Sequence, residues 1–145
     1  ESDDKIILIV GDVGFSFVDD FAKKFPNQFL NAGVTEQSMM GLAAGMALSG
    51  WKPFVYSMIP FVTFRCLEQV RNDVCYNKAN VKIIGVRGSE HYSFLGISHN
   101  IQEDEDVTIL SRMPNLEMYL PRDTDQVREA MRLMYKTEKP CYLRI

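Results

Sequence analysis

The chain has 145 residues, 46% hydrophobic and 24% charged, and a formal net charge of −3. That length suffices for one compact unit burying roughly 70% of its unfolded surface, and the charge excludes the basic footprint of a nucleic-acid or anionic-membrane partner. No apolar run approaches the roughly 18 residues of a membrane span, no basic-then-apolar leader opens the sequence, and Cys66, Cys75 and Cys141 have no CxxC spacing.

Odd cysteine number and irregular spacing argue against a disulfide framework or a zinc site. Buried, inert thiols and a reducing, cytoplasmic setting are the expectation. In chain order, β-type runs fall at Ile6–Val10 and at 29–32, 53–58, 81–86, 116–120 and 141–145. After the first comes GDVGFS, with Asp12 and Ser16; after the second, Gly33 can turn the chain tightly ahead of Glu36. After the third, Pro60 suits the opening of a helix, and Phe64, Leu67, Val70 and Val74 form an apolar stripe behind it. The fourth run leads into residues 87–104, the longest irregular stretch, which gathers Arg87, His91 and His99. A last helix carries Val127, Ala130, Met131 and Met134 at i, i+3, i+4, i+7, capped by Asp123 or Thr124.

Short β runs alternating with helices predict an α/β fold, three-layer α/β/α, with a mainly parallel sheet of about six strands. Neither a repeat nor a low-complexity linker interrupts it, so residues 1–145 are read as one domain. In such sheets ligands gather where the strands end, which places Asp12, Glu36, Phe61 and the 87–104 stretch at one edge. A nicotinamide-binding Rossmann domain is rejected, because GDVGFSF lacks the G-x-G-x-x-G turn.

Glu36 opens GVTEQSMMGLAAGMALSG at the mouth of a small, apolar helix. Read plainly, it is a first-turn acid favoured by the helix dipole by about 0.3–1 kcal/mol, ahead of a Gly41/Gly45 face that lets another backbone approach. Read functionally, an apolar cover would raise its pKa and let it donate one aimed hydrogen bond.

The run FPNQFLNAGVTEQSMMGLAAGMALSGWKPF meets, nearly throughout, the pattern F-P-x-R-F-x-N-x-G-I-x-E-Q-x-M-x-G-x-A-x-G-x-A-x-x-G-x-x-P-F. The later GISHNIQEDEDVTILSRMPNLEMYLPRD resembles G-x-T-H…E-D-I-A-x-L-R-x-I-P-N-x-x-V-x-x-P-x-D. On these motifs almost the whole chain resembles the pyrimidine-binding domain of transketolase-like, thiamine-diphosphate-dependent enzymes. The resemblance implies that Glu36 hydrogen-bonds N1′ of the cofactor's aminopyrimidine, favouring the imino tautomer that removes the C2 proton. It implies that Phe61 and Phe64 stack on the pyrimidine, although Phe64 also fits a core position on its stripe. His99 aligns with a histidine that helps proton transfer and reads substrate oxygens, though a solvated loop histidine also fits. Asp12 corresponds to an acid near the cofactor, and Ser16 to a sugar-phosphate contact or a helix N-cap.

Departures accompany the match. Leu95 stands where transketolases carry an aspartate that reads a sugar hydroxyl, and two extra residues separate His99 from the Glu105–Asp106 pair. In place of a glycine-rich approach stands Arg87-Gly88-Ser89-Glu90-His91-Tyr92, whose Arg87 or His91 could bind an anionic substrate group. The G-D-G…N motif that binds diphosphate and Mg²⁺ is missing from the sequence, so no metal ligand is assigned. The chain is therefore expected to be a fragment or a split subunit that needs a diphosphate-binding domain or subunit holding Mg²⁺. A homodimer or hetero-oligomer acting on a ketose or keto acid is expected. Alternatives are a component of a 2-keto-acid-using synthase or dehydrogenase, or a non-catalytic assembly domain.

Overall fold

Alternation within the first β run decides how the sheet is covered. Ile7 and Ile9 join one hydrophobic cluster, whereas Ile6 and Leu8 pack against another, so the strand is apolar on both faces, as parallel sheets require. A computed structural model describes residues 3–88 and 92–145. The expectation for His91 lies outside the described residues. Strands β1 (Ile6–Val10), β2 (Phe29–Asn31), β3 (Lys52–Met58), β4 (Lys82–Val86), β5 (Glu117–Tyr119) and β6 (Cys141–Arg144) form one sheet in the order β2-β1-β3-β4-β6-β5. Every pairing is parallel. The expected three-layer α/β/α fold is the one observed. The second run ends one residue early, at Asn31, although the Ala32 N–H still donates to the Val10 carbonyl at 2.9 Å.

One face is covered by α2 (Glu36–Leu48), a π-helical turn at Val70–Tyr76 and α5 (Glu105–Leu110). Met39, Met40, Ala43 and Ala44 of α2 interleave there with Val55, Ile83 and Tyr142 of the strands. The other face carries α1 (Asp19–Lys24) and α6 (Thr124–Lys136). Asp123 caps α6 as expected, its side chain accepting the Gln126 N–H at 2.8 Å, and Ala130 and Met134 are the residues it buries. Among the described residues no helix is long and apolar enough to cross a membrane.

The stripe behind Pro60 is not one continuous helix. Helix α3 (Ile59–Val62) stops after a single turn, and helical structure resumes at α4 (Leu67–Gln69). The turn ends at Thr63, whose N–H and hydroxyl both donate to the Ile59 carbonyl, at 3.0 and 2.6 Å. The Arg65 N–H then reaches back to the Pro60 carbonyl at 3.0 Å. Val70 and Val74 are buried as expected, but Phe64 sits half-buried in the interruption.

The chain order reverses between β1 and β3, because β2 lies on one side of β1 and β3 on the other. Such a switch point opens a crevice beyond the carboxyl ends of the two strands.

Candidate functional site

Asn31, the last residue of β2, organises the turn that delivers the carboxylate. Its side-chain oxygen accepts the N–H groups of Asp12 and Gly33 at 3.1 and 2.9 Å, and its amide donates to Asp12 Oδ1 at 2.9 Å. Gly33 adopts φ +71°, a left-handed conformation that suits glycine. Helix α2 then begins at Glu36, whose side chain is 1% exposed despite being an acid.

Glu36 lies in the crevice at the switch point. A methyl group built on Gly11, the residue after β1, would come within 3.2 Å of Glu36 Oε1 and 3.3 Å of Ser57 Oγ on β3. Gly11 is thus a close-approach glycine, and a larger residue would press on the carboxylate. Glu36 Oε2 accepts from Arg65 Nη1 at 2.7 Å. Among the described residues, Glu36 Oε1 and Ser57 Oγ are buried without a hydrogen-bond partner. A buried acceptor left open is costly, so this oxygen is a place for a donor to arrive.

Arg65 corrects the expectation of a purely apolar cover. Its guanidinium lies over the Phe61 ring, 3.9 Å from the centroid, while it pairs with Glu36. The Arg65 side chain remains 39% exposed. Sequence reasoning missed it because the stripe was read as one helix. In the interrupted segment, Arg65 instead faces back toward α2.

His99 reaches the same place from the β4–α5 connection. Its ring meets Phe61 edge-on, centroids 4.9 Å apart at 76°, and stacks on Tyr92 at 6.2 Å and 23°. The side-chain amide of Asn100 donates to the Tyr92 and Gly96 carbonyls at 3.0 and 2.8 Å, closing the loop on itself. A methyl on Gly88 would come within 2.7 Å of the His99 carbonyl and closer still to Asn100 Oδ1, so the loop packs directly on Gly88. Ser98 Oγ donates to the Leu95 carbonyl at 2.7 Å and lies 2.9 Å from His99 Nδ1.

The far end of the loop is clamped to β6. Arg144 donates to Asp104 at 2.7 Å and to Asp106 at 3.1 Å, and the buried Tyr142 hydroxyl donates to Asp106 Oδ2 at 2.5 Å. Burial, and then the Asp106 carboxylate, push the Tyr142 phenol well above its ordinary range, so it stays a donor. Ser98 and Asp106 fall on positions of the quoted motifs, whereas Gly88 and Asn100 carry no motif signal of their own.

The structure therefore brings together Glu36, Phe61 and His99, adding Arg65, Ser57 and Gly11. Asp12 lies at the rim, tied to Asn31. Ser16 is exposed with φ 67° and does not cap α1, whose N-cap is Val18. The Arg87 side chain is 44% exposed and lies 3.9 Å from Asp104. Among the described residues no ring contact joins Phe64 to Phe61 or His99, and no group of three or more His, Cys, Asp or Glu gathers as a metal site.

An open carboxylate oxygen beside an aromatic face fits a planar heterocycle that presents a ring N–H. Comparison with known proteins places the chain in a family. Over residues 1–145 the chain matches the family model described as "Transketolase, pyrimidine binding domain". It is 38% identical over 144 residues to an apulose-4-phosphate transketolase subunit of Phocaeicola vulgatus, covering 99% of this chain and 46% of that protein. It is 38% identical over 125 residues to a putative transketolase C-terminal section of Methanocaldococcus jannaschii, covering 86% of this chain and 39% of that one. A solved structure described as a split-gene transketolase, an inactive beta4 tetramer, superposes with TM-score 0.81 at 35% identity, covering 97% of this chain and 44% of that one. The chain spans less than half the length of these relatives. By the match along its whole length, the chain belongs to the transketolase pyrimidine-binding domain family.

Proposed function

We propose that this chain forms the pyrimidine-binding half of a thiamine-diphosphate-dependent, transketolase-type active site for two-carbon ketol transfer. One observation carries the reading. A buried glutamate at the switch point has one oxygen engaged by Arg65 and the other open beside Gly11 and Ser57. The cofactor, when bound, supplies the acidic C2 carbon and the electron sink for cleaving a carbon–carbon bond.

The chain's residues control placement and protons. Arg65 occupies Glu36 Oε2, which leaves Oε1 as the oxygen that would pass a proton to pyrimidine N1′ and then accept the resulting N1′–H bond. Holding a proton there favours the imino form of the ring, and the carboxylate needs no reorganisation when the charge shifts. Phe61, with the Arg65 guanidinium over its ring and His99 at its edge, is the aromatic side chain assigned to the pyrimidine. His99, in edge contact with Phe61, exchanges protons with substrate oxygens. Asp12 and Phe64 border the cofactor, while Ser16, Arg87 and His91 are assigned to substrate. Leu95, apolar where a sugar-hydroxyl reader is expected, favours a second reading with a 2-keto acid as donor substrate.

A diphosphate-binding domain or subunit that holds Mg²⁺ must complete the site. Phe15, Phe17, Val34, Phe94 and Ile97 are exposed on three loops at the carboxyl edge of the sheet, an apolar rim suited to that partner. Two of the relatives are named as a transketolase subunit and as a C-terminal section, which supports a partner subunit. On α2, open space at Gly45 and the exposed Leu42 and Leu48 offer a further face for a second copy.

The test is hydrogen–deuterium exchange at cofactor C2, with the full protein, its partner, thiamine diphosphate and Mg²⁺. Exchange faster than in free cofactor and lost in Glu36→Gln is expected. Exchange that survives Glu36→Gln would falsify the assignment.

A further inference from the structure

We infer that Ser98 is a positioning residue that holds neutral His99 in its Nδ1–H tautomer, leaving Nε2 as the acceptor. The observation is a proton count. A serine hydroxyl has one proton and two lone pairs. Ser98 Oγ spends its proton on the Leu95 carbonyl, 2.7 Å away, so it faces His99 Nδ1, 2.9 Å away, with a lone pair. The two distances fit their roles, since O–H···O bonds cluster near 2.7–2.8 Å and N–H···O bonds near 2.9–3.0 Å. Reversing the bond would strip the Leu95 carbonyl of the hydroxyl that closes the turn after Gly96, whose φ of 57° and ψ of −150° break the local helix.

The bond made by one imidazole nitrogen sets the state of the other. The ring cannot easily turn away, because it is edge-on to Phe61 and stacked on Tyr92. Its backbone is fixed by Asn100, which ties together the Tyr92 and Gly96 carbonyls, and by close packing against Gly88.

Neutral His99 therefore accepts a hydrogen bond or a proton through Nε2, and becomes a donor there only after it is protonated. It favours a substrate hydroxyl over a carbonyl oxygen in the resting state. This use rests on the proposed cofactor reading; the tautomer itself does not.

The experiment is long-range proton–nitrogen correlation NMR on the full-length protein, with its partner, labelled with ¹⁵N-histidine in this chain. The 145 residues hold two histidines, and loss of the signal in His99→Gln assigns His99. Spectra are taken about two pH units above the usual imidazole pKa near 6.5. The expected pattern is a protonated-type Nδ1 shift with an unprotonated-type Nε2 shift. Ser98→Ala should move the pattern toward Nε2–H, and Ser98→Thr should restore the original one. A wild-type Nε2–H pattern overturns the inference, as does an Nδ1–H pattern that persists in Ser98→Ala. Should Ser98→Ala fail to fold, Ser98→Gly removes the same hydroxyl and its spectrum decides by the same criterion. Failure of the C2 exchange test would remove the reaction and leave the tautomer result standing.

Discussion

Glu36 and His99 arrive at one site by different means. Glu36 is delivered by regular structure: a strand end, a left-handed glycine and the first turn of a 13-residue helix, all backed by the larger core cluster. His99 is delivered by side chains that bond to backbone, chiefly Asn100 and Ser98, within a largely exposed loop. A buried carboxylate needs a rigid frame, because its desolvation is offset only by well-placed partners. A histidine that meets substrate can sit on a loop, held by a few directional bonds that cost little to open.

The largest expected effect separates their chemistry. In the completed enzyme, Glu36→Gln should slow C2 exchange by about 10²–10⁴-fold, the usual weight of a positioned acid–base group. His99→Gln should leave C2 exchange within about tenfold and reduce ketol transfer instead, because its proposed role lies at substrate oxygens rather than at the pyrimidine. Equal losses of C2 exchange in both variants would end the division of labour.

Stability should separate them next. Arg65→Met leaves a carboxylate that is 1% exposed without its counter-charge. Removing one partner of a fully buried pair costs about 3–5 kcal/mol. Arg65 itself is 39% exposed, so water can partly replace it and about 1–3 kcal/mol is expected. Urea unfolding measures this; a change within experimental error would show that the pair contributes nothing. On the loop side, Gly88→Ala inserts a methyl group against Asn100 and the His99 carbonyl. It should cost about 1–3 kcal/mol by overpacking, or less if the loop moves away. In the second case amide exchange should rise across residues 92–100 while α2 keeps its protection.

The same contrast explains what could be read in advance. The sheet, its parallel order and the Glu36 turn follow from β runs, Gly33 and helix periodicity, signals that span many residues and reinforce one another. The motif resemblance also singled out Phe61 and His99, which the structure brings into contact. Arg65 escaped because the helix that the apolar stripe alone would continue stops at Val62 and resumes only at Leu67. Ser98, Asn100 and Gly88 act through single bonds or one close approach between residues 88 and 100. Polar residues in a loop show no periodicity that would announce such partners.

The smallest effect expected is alkaline, and it belongs to the carboxylate side alone. Cys66 is buried next to the site, and its thiol donates to the Phe61 carbonyl at 3.3 Å. Burial first, and then the charge of Glu36, push that thiol up to about 12; burial takes Cys75 up to about 11. An unfolded thiol has its ordinary pKa near 9.0. Above that pH the unfolded chain sheds protons that the folded chain keeps, so the folded state binds more protons and stability falls as pH rises. The contribution is complete below pH 9 and drains away toward the folded values. Lys82 acts with opposite sign: burial lowers its pKa, so its contribution grows with pH up to its ordinary value near 10.5. Comparing variants cancels that shared background. Between pH 8.5 and 10 (a window set by the ordinary thiol value of about 8.5–9), the urea midpoint of Cys66→Ala should fall less steeply than that of the wild type. Parallel curves would mean that Cys66 titrates alike in both states, and that its burial beside Glu36 has no electrostatic consequence.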